Sequence, residues 1–115
     1  MARVELIYDR DCPNVQDARK VLLEAFAEVG LQPSWTEWDR KSPESPFHVR
    51  QYGSPTVLVD GRDVVGVEPA DDLDNCRLYQ HGPGEMRGVP PLLSITEALG
   101  NDLGRLVLRV CPAGS

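Results

Sequence analysis

Long apolar runs, cysteines and basic residues are all scarce in this chain of 115 residues. No run approaches the roughly 18 apolar residues of a membrane span, so a membrane-spanning segment is not expected. The first residues enter a charged, strand-like run and lack the apolar centre of a signal peptide, so the expected location is cytoplasmic. Twelve basic against eighteen acidic side chains give a formal net charge of −6. This charge argues against nucleic acid and anionic membranes as partners, because both would repel the protein.

Three cysteines, Cys12, Cys76 and Cys111, are too few and too scattered for a secreted disulfide framework. Because their number is odd, at least one stays outside any disulfide within the chain. The length and the hydrophobic share of 41% are those of a single domain with one modest core. We expect that domain to cover residues 1–100 and to be followed by a tail, residues 101–115.

The first half of the chain predicts a βαβ unit. Residues 3–8 alternate between apolar and polar side chains, and Ile7 on the second face indicates a central strand. Residues 33–38 read as a second strand, and residues 13–29 between them carry apolar side chains at helical spacing. A strand, a helix and a strand in this order predict parallel strands with a right-handed crossover. Residues 45–52 then predict a short helix.

The predicted helix has a cysteine at its amino-terminal corner. Asp11 or Cys12 is expected to cap it, Pro13 to occupy its first position and Gly30 to end it. The N–H groups and the positive dipole end of a helix start stabilise a thiolate, whereas Asp9 and Asp11 oppose it as like charges. Cys12 is therefore the leading candidate for a reactive thiol, and a half-buried structural thiol is the alternative.

The second half predicts a hairpin, a long loop and a further helix. Residues 57–59 and 64–65 flank a turn at 60–63, which contains the hairpin dipeptide Asp-Gly. Residues 91–100 predict a helix that opens with proline and closes with glycine. Between these elements, residues 66–90 predict a long loop insertion with little regular structure.

The order of these elements, the position of Cys12 and the run Ser54-Pro55-Thr56 resemble the thioredoxin fold across roughly residues 3–99. The likeness is greatest to small thioredoxin-like and glutaredoxin-like proteins. The resemblance implies an α/β class, with a four-stranded mixed sheet flanked by helices. It also implies a cis bond before Pro55, which would place the backbone of Ser54 beside the Cys12 sulfur. In such proteins that backbone pairs with the peptide or thiol under attack. Ser54 and Thr56 are therefore the expected contacts of a low-molecular-weight thiol such as glutathione.

The chain departs from the two-cysteine motif of thioredoxins. Those proteins carry Cys-x-x-Cys, whereas the fourth position here is Val15. No disulfide can form within the motif, so a monothiol site is expected. A narrower likeness rests on an Asp-Cys-Pro-Asn start, a Gly-Ser-Pro-Thr-Val-Leu-Val-Asp-Gly-Arg-Asp segment and a later Cys-Arg-Leu-Tyr. Some proteins with these segments are described as thioredoxin-like or mercury-resistance-associated, and the likeness adds Cys76 to the signature.

Three functions follow as hypotheses. The first is a monothiol oxidoreductase, in which Cys12 attacks the disulfide of a small thiol or a protein beside Pro55, and Cys76 or an external thiol resolves the product. The second is a carrier for a soft metal such as mercury, held by Cys12 alone or with Cys76. The third is a non-catalytic thioredoxin-like interaction module. His48 and His81 lack metal-ligand spacing, so no metal site and no resident cofactor are expected. The oligomeric state stays open.

Overall fold

The computed structural model of the chain describes residues 3–68 and 77–100, which form a mixed α/β arrangement with two sheets. In chain order the elements are β1 (Val4–Tyr8), α1 (Val15–Glu28), β2 (Thr36–Asp39), a 3₁₀ helix (Phe47–Gln51), β3 (Thr56–Val59), β4 (Arg62–Asp63), β5 (Tyr79–Gly82), β6 (Glu85–Arg87) and α2 (92–100). Cys76, Cys111 and the predicted tail 101–115 lie outside the described residues. No helix within the described ranges is long and apolar enough to cross a membrane.

The larger sheet has four strands in the order β2-β1-β3-β4. β1 pairs in parallel with β2 and antiparallel with β3, so the sheet is mixed and the predicted parallel pairing across α1 is confirmed. Ile7 is fully buried in the central strand, as its position predicts. β2 occupies residues 36–39 and not the predicted 33–38, because its pairing with β1 begins opposite Glu5, at Thr36.

Each face of this sheet has its own apolar cluster. The first face is covered by α1 and α2, and its ten buried residues are Val4, Leu6, Ala18, Leu22, Ala25, Phe26, Val57, Val59, Ile95 and Leu99. On the second face the 3₁₀ helix places Val49 and Tyr52 against Ile7 and Leu58. A fully buried Leu, Ile or Phe side chain stabilises the fold by about 1.5–3 kcal/mol, so the larger cluster is the main source of stability.

The start of α1 differs from the sequence-based expectation. The helix begins at Val15 with Asn14 as its N-cap, and Cys12 and Pro13 lie in the turn before it. The reason is local: the N–H of Cys12 donates to the carbonyl of Asp9 at 3.0 Å, which closes a separate turn ahead of the helix. The predicted start at Pro13 was therefore wrong, and Cys12 precedes the N-cap by two residues.

The end of α1 is the predicted one. Gly30 has a φ of +73°, in the left-handed region that glycine enters without a steric penalty. The N–H of Leu31 reaches back to the carbonyl of Phe26 at 2.9 Å, and the N–H of Val29 reaches that of Ala25 at 3.2 Å. These bonds satisfy carbonyls of the last helical turn, as expected of a glycine stop.

The predicted Asp-Gly hairpin is present, but its second strand is not the predicted one. Asp60 and Gly61 form a two-residue turn with φ values of 52° and 82°. A turn with both residues left-handed matches the twist of paired strands, so pairing resumes at once. Val59 pairs with Arg62, and the return strand is Arg62–Asp63 in place of the predicted residues 64–65.

A second hairpin occupies part of residues 66–90, so the prediction of a loop with little regular structure was wrong there. β5 and β6 pair antiparallel around a turn in which Gly84 has a φ of 73°. All three residues of β6 are exposed. β5 has four residues and β6 has three, and neither strand alternates between apolar and polar side chains. For this reason sequence periodicity did not reveal them.

A polar clasp joins α1 to β2. The guanidinium of Arg19 donates to both carboxylate oxygens of Glu37 at 2.9 and 2.8 Å, and the indole N–H of Trp35 donates to the same carboxylate at 3.0 Å. The Trp35 ring stacks on Phe26 with centroids 6.0 Å apart. The hydrogen bond from Arg19 holds the pKa of Glu37 below its ordinary value. The clasp therefore contributes to stability only while Glu37 is ionised.

Replacing Glu37 with Gln is expected to lower the free energy of unfolding by about 0.5–1 kcal/mol at pH 7, because the pair is partly exposed. Since the folded-state pKa is lowered, this contribution is fully present above the ordinary value of 4.5 and is lost as the pH falls through the lowered pKa. Urea unfolding of both proteins between pH 7 and pH 3 measures the difference. Glu44→Gln, at an exposed loop position, is the control. A difference that grows in acid would contradict the pairing.

Candidate functional site

The strand register brings two loops to one edge of the sheet. β1 and β3 are antiparallel with Ile7 opposite Thr56, so continuing the pairing places Asp9 opposite Ser54. The contact is made: the N–H of Asp9 donates to the Ser54 hydroxyl oxygen at 2.9 Å, within the buried interior. The turn that carries Cys12 and the loop that carries Pro55 are therefore held side by side.

Cys12 lies in the turn that follows β1. The residue is buried, with only 7% of its surface exposed. Its N–H donates to the carbonyl of Asp9 at 3.0 Å, so the residue bonded to Ser54 also holds the cysteine backbone. The position of Cys12 relative to the Ser54 loop is thus defined through one intervening residue.

The run Ser54-Pro55-Thr56 is buried. The bond between Ser54 and Pro55 is cis, as the resemblance implies. All three side chains are less than 2% exposed, and the Thr56 hydroxyl donates to the carbonyl of Gly53 at 2.7 Å. The structure therefore brings Ser54 and Pro55 to the same edge as Cys12. The contacts predicted between Ser54, Thr56 and a bound thiol stay predictions.

Asp9, which holds the cysteine turn, forms a buried ion pair with Arg40. Arg40 Nη1 lies 2.8 Å from Asp9 Oδ2, and the two side chains are 6% and 10% exposed. The N–H of Arg40 also donates to the carbonyl of Tyr8 at 2.8 Å. The sequence gives no sign of this pair, because Arg40 follows β2 and reaches Asp9 only through the parallel pairing of β1 and β2.

Arg10 is the nearer cation in sequence, but it pairs elsewhere. Its Nε lies 2.7 Å from Asp39 Oδ2, and its side chain is 84% exposed. The buried charge of Asp9 is matched instead by Arg40, which lies 31 positions away in the chain. The like-charge effect of Asp9 on a thiolate at Cys12 is therefore reduced by a neighbour that local sequence does not reveal.

Arg77 binds the Ser54 loop from the other side. Its N–H donates to the Ser54 carbonyl at 2.8 Å, and its Nη1 donates to the Thr56 hydroxyl at 2.9 Å. The same nitrogen lies 2.8 Å from Asp63, whose side chain is fully buried. The main-chain carbonyl of Ser54 is therefore already hydrogen-bonded to a residue of this chain, Arg77.

Tyr79 completes this side of the site. Its hydroxyl donates to the carbonyl of Pro55, and its ring lies under the Arg77 guanidinium with 4.4 Å between the guanidinium carbon and the ring centroid. Burial raises the pKa of Tyr79 far above its ordinary value. The phenol therefore keeps its proton and acts as a hydrogen-bond donor. Arg77 and Tyr79 lie in the stretch predicted as a loop, and the sequence gives no signal that either side chain binds the Ser54 loop.

The two histidines have protein partners. His48 Nε2 lies 3.1 Å from a carboxylate oxygen of Glu5, which also accepts the indole N–H of Trp38 at 2.8 Å. His81 Nε2 lies 2.7 Å from the carbonyl of Val89. In the part of the chain that the structure describes, no group of three or more His, Cys, Asp or Glu side chains could hold a metal ion.

Breaking the buried pair by Asp9→Asn or by Arg40→Met is expected to cost about 3–5 kcal/mol, because each leaves an uncompensated buried charge or a lost partner. The double variant should lose less than the sum, since neither charge then remains. Chemical unfolding of the four proteins gives the coupling energy. The control, Arg10→Met, removes an exposed cation from the same turn and should cost under about 1 kcal/mol. Additive losses would contradict the structural role of the pair.

Among the described residues, the thiol available at this edge is that of Cys12. The Asp9 N–H holds the cysteine turn against the Ser54 loop, and the Asp9 carboxylate is paired with Arg40. A thiolate in such a place can attack a sulfur atom or bind a soft electrophile.

Comparison of the chain with models of protein families, with curated proteins and with solved structures finds no match.

Proposed function

We propose that this chain is a thioredoxin-like, monothiol thiol–disulfide oxidoreductase with Cys12 as its nucleophile. The observation that carries the proposal is the hydrogen bond between Asp9 and Ser54, which holds the Cys12 turn against a loop with a cis proline. The motif carries one cysteine, Cys12, and has Val15 where a second would stand, which supports one-thiol chemistry.

The reaction has two steps. The Cys12 thiolate attacks one sulfur of a disulfide of a small thiol, such as glutathione, or of a protein; a mixed disulfide forms and the other sulfur leaves as a thiolate. An external thiolate then attacks the partner's sulfur and releases Cys12 as a thiolate. If Cys76 resolves the intermediate instead, it attacks the Cys12 sulfur and releases the partner's thiolate. The resulting Cys12–Cys76 disulfide then needs two equivalents of an external thiol.

The surroundings of Cys12 favour a defined geometry of attack. Its backbone is held by Asp9, and Asp9 is held in turn by Ser54 and Arg40. Holding the nucleophile in one place lowers the entropy lost on reaching the transition state. The Asp9–Arg40 pair is neutral as a unit, so it adds no net negative charge beside the developing thiolate.

Cys12→Ser is expected to reduce the rate of exchange with a glutathione mixed disulfide to the rate without protein, because the nucleophile is lost. The measurement follows thiol release with reduced glutathione as the second substrate. Cys111→Ser is the matched control and should keep the wild-type rate. Cys76→Ser separates the two resolving routes: an unchanged rate assigns resolution to the external thiol. Exchange that persists in Cys12→Ser would eliminate the proposed function.

A further inference from the structure

We infer that the β5–β6 hairpin, with the flanking residues Arg77 and Gly88, restricts Cys12 to small disulfides and keeps extended protein segments out. These residues, 77–88, are called the hairpin cover. The inference rests on the proposed function, because it concerns the substrate of the same thiol. It is carried by the contacts that the two stems of the cover make with Asn14 and with the Ser54–Pro55 loop, both of which adjoin the cysteine turn.

The first stem occupies the backbone groups that a protein partner would need. An extended segment binds beside a strand by forming main-chain hydrogen bonds along a free edge. At the edge next to Cys12 the carbonyl of Ser54 already accepts the N–H of Arg77 at 2.8 Å, and the carbonyl of Pro55 accepts the Tyr79 hydroxyl. A protein segment would have to displace both donors.

The second stem lies against the residue that caps α1. A Cβ atom added to Gly88 would lie 2.1 Å from the side-chain nitrogen of Asn14, so the backbone at this point touches the Asn14 amide. Asn14 follows Cys12 by two residues, and Ser54 is bonded to Asp9, three residues before it. One stem therefore contacts a residue that follows Cys12 in the chain, and the other contacts the loop that is bonded to a residue before it.

The burial of Cys12 agrees with this placement. The residue is 7% exposed, whereas all three residues of β6, in the cover, are exposed. An isolated two-stranded hairpin is marginally stable, so the cover depends on its stem contacts. Thiol–disulfide exchange needs the attacking sulfur and the two sulfurs of the disulfide to lie near one line. A disulfide as small as bis(2-hydroxyethyl) disulfide brings two short hydroxyethyl arms to that line, whereas a protein disulfide brings backbone on both sides.

The test compares reagents of two sizes on the full chain. Iodoacetamide and bis(2-hydroxyethyl) disulfide are the small reagents; a maleimide carrying a polyethylene glycol chain and a folded protein with an exposed disulfide are the large ones. Each rate at Cys12 is divided by the rate in the urea-unfolded chain and is read by mass spectrometry of the Cys12 peptide. We expect the large reagents to be slowed at least about tenfold more than the small ones, because they need local opening of the cover.

Two variants weaken different stems. Tyr79→Phe removes the donor to Pro55, and Gly88→Ala places a Cβ against the Asn14 side chain, so that the second stem or that side chain must shift and their contact is disturbed. Both should speed the large reagents more than the small ones. Met86→Ala, at a 53% exposed position on β6, should leave the size ratio unchanged.

The inference is overturned if large and small reagents are slowed equally in the wild type, or if both stem variants speed both classes by the same factor. If no disulfide reacts at Cys12 while the alkylating reagents still show the size difference, the proposed function fails and the disulfide restriction fails with it, although the cover still excludes large molecules. Disulfides that react at Cys12 regardless of size would leave the proposed function standing and remove the restriction.

Discussion

The hydrogen bond from the Asp9 N–H to the Ser54 hydroxyl is the contact on which the geometry around Cys12 depends. The β1–β3 register places Asp9 opposite Ser54, at a position where main-chain hydrogen bonds would join the two strands. The Asp9 N–H donates there to the Ser54 hydroxyl oxygen and not to the Ser54 carbonyl. The Ser54 carbonyl accepts the N–H of Arg77 instead. One residue, Ser54, thus binds both the cysteine turn and the hairpin.

Two buried Arg–Asp pairs adjoin the contact between Asp9 and Ser54. Arg40 binds Asp9 next to the cysteine turn, and Arg77 binds Asp63 next to the Ser54 loop, each at 2.8 Å. Burial of an ion costs several kcal/mol, and the attraction within a buried pair returns little more than that cost. The effect of these pairs is therefore geometric.

Local sequence patterns predicted what depends on local structure. The body and the end of α1, the central position of Ile7 and the Asp60–Gly61 turn all follow from spacing or from one residue's backbone preference. The start of α1 was wrong by two residues, because a competing turn at Asp9–Cys12 used the N–H that a cap position would leave open. Propensity rules describe each turn alone and do not decide between two that compete for the same residues.

The candidate site was predictable only in part for a related reason. Cys12 and Pro55 could be named from type and position, but the residues that hold them come from distant parts of the chain. Arg40 and Arg77 reach the site through strand pairing and a hairpin, and neither has a distinguishing neighbour in sequence. Tyr79 lies in a strand too short to show periodicity. Contacts between residues that lie far apart in the chain leave no pattern in the local sequence.

The same contacts that hold Cys12 also set the cost of reaching it. A partner segment could replace the Arg77 donor at the Ser54 carbonyl with its own N–H, so that bond is recoverable. The hydroxyl of Tyr79 and its buried ring have no such replacement, and a buried polar group left unpaired costs about 1–3 kcal/mol. Each 1.4 kcal/mol is a factor of about ten in rate or affinity. Under the proposed function, the exclusion of protein segments therefore rests on Tyr79 more than on Arg77, although both bind the same loop.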